Sequence, residues 1–191
     1  MEIDKTVLET VIKGVKIGRQ GSKQINVYSL YSITLLRYLG LVTPKFSVAG
    51  AAHQIISEQV MEKYPELLAE IEEYNLPKYR GRRAVLPKTF PEIDHTLWLE
   101  AHEITKSCGG GMPIYDPILS VVFRYNSLLT GINMSLTGAR MMDDGLKAKY
   151  PDVWSIQSST GWKGGWHRRT PKGTPDIANI MRRLKPRGKP N

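Results

Sequence analysis

Apolar residues recur at helical spacing through most of the chain. In residues 3–17, Ile3, Val7, Val11 and Val15 form an i, i+4 stripe with Leu8 and Ile12 beside it. That spacing predicts an amphipathic helix ended by Gly18 and Gly21. Residues 25–41 are apolar in almost every direction around a helix, with Arg37 their only charge. Such a helix belongs in a core or in an interface between copies. Its tyrosines, Tyr28, Tyr31 and Tyr38, are expected to pack in a core rather than stack on bases, and Gly40 with the following Thr-Pro is expected to stop it.

Ser47 is a cap candidate for a helix whose first turns are small, Ala-Gly-Ala-Ala, and which would let a neighbouring helix approach closely. Pro65 opens a shorter helix with an acidic face of Glu66, Glu70, Glu72 and Glu73. Further helices are expected over residues 92–106, ended by Cys108 and Gly109–Gly111, and from Asp116-Pro117, a cap followed by proline, to Gly131. Another carries Ile132, Leu136, Ala139, Met142 and Leu146 and ends before Pro151. No hairpin signal stands out. The pattern predicts an all-α, single-domain body of about six to seven helices over residues 1–160.

Two stretches break that pattern. Residues 75–91, N-L-P-K-Y-R-G-R-R-A-V-L-P-K-T-F-P, are interrupted by Pro77, Gly81, Pro87 and Pro91 and read as an extended arm. The arm carries Lys78, Arg80, Arg82, Arg83 and Lys88 and no acid. Residues 161–191 form a tail with one candidate docking helix, residues 176–184, in which Ile177, Ile180, Met181 and Leu184 share a face.

Charge sharpens the division. The tail holds nine cations, Lys163, Arg168, Arg169, Lys172, Arg182, Arg183, Lys185, Arg187 and Lys189, against Asp176 alone. That is +8 of a formal net charge of +9, so the body is nearly neutral. A cluster of this kind, Arg-rich and interleaved with Trp162, Trp166 and glycines, suits a polyanion, and nucleic acid above all. The glycines and prolines of the tail argue against a membrane-surface helix. A smaller basic patch, Lys13, Lys16, Arg19 and Lys23, has no carboxylate within it. No run approaches the length of a membrane span, and the N-terminus lacks a secretory pattern, so a soluble, unsecreted protein is expected, intracellular or within a nucleoprotein particle.

Candidate chemistry is sparse. His95 and His102 lie seven residues apart, about 10.5 Å along one helix, too far to share a zinc ion. A single cysteine, Cys108, excludes an internal disulfide and has no sequence-enforced base beside it. Asp143, Asp144 and Asp152 lack a second carboxylate cluster. No catalytic set, metal site or cofactor motif follows.

The expectation is therefore a non-enzymatic, self-associating structural protein that coats, packages or scaffolds DNA or RNA, in a virion or capsid, a nucleoprotein or a ribosomal particle. Its contacts would be made by Lys78, Arg80, Arg82, Arg83, Lys88, Trp162, Lys163, Trp166, Arg168, Arg169, Lys172, Arg182, Arg183, Lys185 and Arg187. Two alternatives differ in class. One is a nucleic-acid-processing enzyme working through His95, His102 and Glu103; the other is a DNA-binding regulator with a helix-turn-helix in residues 1–41.

Overall fold

In a computed structural model, residues 3–18, 20–79, 81 and 84–159 are described. They form eight α-helices and one two-stranded sheet, so the protein is mainly helical. The tail 161–191, its candidate docking helix, and Arg19, Arg80, Arg82 and Arg83 lie outside the described residues.

Local signals set most helix starts. Asp4 caps α1 (Lys5–Ile17) by accepting from Val7 N, and Leu8, Val11, Ile12 and Val15 turn into the core. Ser47 caps α3 (Val48–Lys63), and Pro65 is the first residue of α4 (Pro65–Glu72). Asp94 caps α5 (His95–Ser107). Asp116 Oδ1 accepts from the amides of Ile118 and Leu119 to start α6 (Pro117–Thr130), and Gly131, at φ 74°, ends it in the left-handed region. Asn133 caps α7 (Met134–Lys149), which is followed by α8 (Pro151–Ser159).

Residues 25–41 are not one helix. Gln24–Tyr28 form strand β1, which pairs antiparallel with β2 (Gly111–Tyr115) in the register Gln24↔Tyr115 to Tyr28↔Gly111. Ile25, Val27, Met112 and Ile114 alternate into the core, the period of a strand. Ser29 then caps α2 (Leu30–Val42), which runs through Gly40 and ends at Thr43. The strand takes residues 24–28 because a remote partner satisfies their backbone while β-branched Ile25 and Val27 fill one face. Gly111, expected as a helix stop, is strand as well. A Cβ there would stand 2.4 Å from the Tyr28 ring, so the tyrosine lies across the partner strand only because residue 111 has no side chain.

The core is one cluster drawing on all the α-helices but α5, on both strands, and on Leu76 and Ala84 of the arm. Leu35, Leu36 and Leu39 of α2 and Gly50, Ala51 and Ala52 of α3 are all buried within it. Of the two places expected for the apolar helix, a core or an interface between copies, most of α2 takes the core. Helices α7 and α3 approach closely at Gly145, where a Cβ would lie 2.5 Å from Ile55 Cγ2 of α3. Asp143, also on α7, accepts from Ser29 Oγ at 2.6 Å and Ser32 Oγ at 2.5 Å, tying α7 to the first turn of α2. Tyr31 and Tyr38 are buried, with ring contacts to Trp98, Trp154 and Phe90, whereas Tyr28 is exposed.

Candidate nucleic-acid interface

The basic arm is a strap laid on the body. At its start Leu76 is buried, and the Tyr79 ring lies flat on His53 of α3, centroids 3.6 Å apart and planes 12° apart. A Cβ at Gly81 would meet Tyr79 Oη at 2.0 Å, so the chain turns over that ring only with glycine there. Ala84 is buried again, Tyr150 donates to Pro87 O at 2.8 Å, and Phe90 packs against Tyr38 and Tyr150. Tyr38 closes the strap, donating to Glu92 O at 2.5 Å and accepting from Asp94 N. Lys78 and Lys88 are exposed, and neither forms an ion pair among the described residues. Arg80, Arg82 and Arg83 fall between Tyr79 and Ala84 in the chain.

His53 is itself held from beneath. Its Nε2 lies 2.6 Å from Asp116 Oδ2 and 3.4 Å from Ser57 Oγ. Serine, histidine and aspartate together suggest a nucleophilic triad, but such a triad needs serine and carboxylate on opposite ring nitrogens. Here both face Nε2, and the other carboxylate oxygen is committed to capping α6. The cluster anchors the strap. Burial, reinforced by the Asp116 charge, raises the pKa of the Tyr79 phenol above its ordinary value. No local sequence signal marks this pair, whose members are 63 residues apart.

A second basic element is the 3-10 turn Gln20–Lys23, docked along α6. Three successive carbonyls of the turn are captured at one-turn intervals of the helix. Asp116 N donates to Lys23 O at 2.9 Å, Ser120 Oγ to Ser22 O at 2.7 Å, and Arg124 Nη2 to Gly21 O at 3.4 Å. Arg124 Nε also donates to Ser120 Oγ at 3.1 Å. Burial lowers the affinity of the Arg124 guanidinium for its proton. Of the rest of the patch, Lys16 lies over the Tyr74 ring at 5.9 Å and Lys13 is exposed. The sequence alone did not single out Arg124, because its relation to the turn exists only once α6 lies beside it.

The other candidates are not brought together. His95 is exposed in the first turn of α5, His102 is partly buried two turns on, and exposed Glu103 pairs with Lys106 at 3.0 Å. Burial, and then Lys106, lowers the His102 pKa, against an opposing effect of Glu103. Cys108 is exposed. No group of three or more metal-ligating side chains is found among the described residues. Residues 18–29 between α1 and α2 contain the 3-10 turn and β1, not the short turn of a helix-turn-helix. Among the described residues no helix is long and apolar enough to cross a membrane.

No protein-family model matches the chain, and no curated protein or solved structure does.

Proposed function

We propose that this chain is a non-enzymatic structural protein that binds DNA or RNA through the phosphate backbone and assembles with it into a larger particle. The observation that carries the reading is charge segregation. Residues 161–191 hold nine cations and one acid, whereas the preceding 160 residues hold eighteen cations and seventeen acids. Backbone neutralisation by such a segment releases counterions and carries little sequence information. The arm supports the same reading, since its described cations are exposed on a strap fastened to the core on both sides.

The test is binding of random-sequence DNA and RNA across a salt series, comparing the wild-type chain with a variant carrying Gln at Arg168, Arg169, Arg182 and Arg183. Four lost phosphate contacts lower the slope of log K against log salt by about 3. An unchanged slope and affinity would show that the tail does not bind nucleic acid. Single and double strands are compared in the same series.

A further inference from the structure

Among the described residues Arg124 has no counter-charge. It forms no ion pair among them, and burial alone accounts for the shift of its proton affinity. Its hydrogen bonds there are to a serine hydroxyl and, at the long limit of 3.4 Å, to a carbonyl. A guanidinium has five N–H donors, so most of its fork is left unengaged by these bonds. Fastening the turn does not require a cation. Asp116 N and Ser120 Oγ already capture two of its three carbonyls in shorter bonds. A partly buried charge with neutral acceptors only is costly to hold, and an arriving anion offsets that cost.

A second cation lies on the same turn. Lys23 closes the turn, and among the described residues its ammonium forms no ion pair. Asp116 and Arg124, which mark the two ends of the seam, are eight residues apart on α6 numbering, about 12 Å along the axis. The guanidinium is also held in place by Ser120, so less side-chain freedom is lost when it takes a phosphate through its fork.

We propose that Arg124, assisted by Lys23, is a phosphodiester-binding point on the helical body, separate from the arm and the tail. The proposal rests on the nucleic-acid reading above and adds to it a site within the folded core. It makes the body a reader of backbone rather than a passive carrier of a charged tail.

The test uses the full chain with a random-sequence DNA oligonucleotide over a salt series, comparing wild type with R124Q, R124K and K23Q, with thermal unfolding of each variant as a check on folding. R124Q is expected to lower affinity about tenfold and the salt slope by about 0.7 to 0.9, and R124K to restore the slope. K23Q, which leaves the turn's backbone bonds intact, is expected to lower the slope in the same direction and keeps the test open if R124Q does not fold. If the folded variants bind as wild type does while neutralising the four tail arginines weakens binding, the Arg124 site is refuted and the nucleic-acid reading stands. If wild type itself shows no salt-dependent binding, both are refuted.

Discussion

Tyr79 lies flat on His53, and His53 in turn is hydrogen-bonded through Nε2 to Asp116, the residue that caps α6. A chain of two side-chain contacts, one stacked and one hydrogen-bonded, therefore joins the basic arm, α3 and the cap of α6. Asp116 is nearly fully buried, so its second oxygen depends on His53 for a partner.

The two contacts of His53 are separable. His53→Ala leaves a buried carboxylate oxygen without a donor and is expected to cost about 2 kcal/mol of stability, read from urea unfolding. Tyr79→Ala removes only the stacked ring and is expected to leave stability closer to wild type while raising trypsin cleavage between Lys78 and Lys88. Cleavage in that segment no faster than in wild type would show that the stack does not hold the arm.

The packing of α8 and of the far end of the strap is expected to weaken in alkali. Burial raises the phenols of Tyr31 and Tyr150 from 10.0 to about 12, and they donate to Val153 O and Pro87 O. Their folded pKa is raised, so the stabilisation is fully present below pH 10. Between pH 10 and about 12 the unfolded chain releases protons that the folded chain keeps, and stability falls. Urea midpoints below pH 10 and midway through that window should show the drop, and the Tyr31→Phe, Tyr150→Phe double variant should flatten it. An equal drop in the double variant would place its origin elsewhere.

Gly145 tests the packing of α7 on α3. A methyl group there meets Ile55 Cγ2 at 2.5 Å, so Gly145→Ala is expected to destabilise by about 1–3 kcal/mol through overpacking, despite alanine's better helix propensity. Combined with Ile55→Ala, which removes the obstructing atoms, the two losses should be less than additive by more than about 0.5 kcal/mol. Simple additivity would mean that the clash is relieved by other movements.

The sequence by itself determined the helical class, most helix starts and the distribution of charge. Those features are local. A cap such as Asp4 or Asp116 bonds amides two or three residues on, a helix closes its hydrogen bonds within four residues, and a count of Arg and Asp needs no fold. Tertiary structure decided what depends on a distant partner. Residues 24–28 are strand because residues 111–115 lie beside them, although their composition also suits the helix that follows. His53 meets Asp116, and Gly21 meets Arg124, across 63 and 103 residues. Neither pairing has a spacing that sequence periodicity records, because each arises only where two independently formed helices and their connecting segments come to rest against the same core.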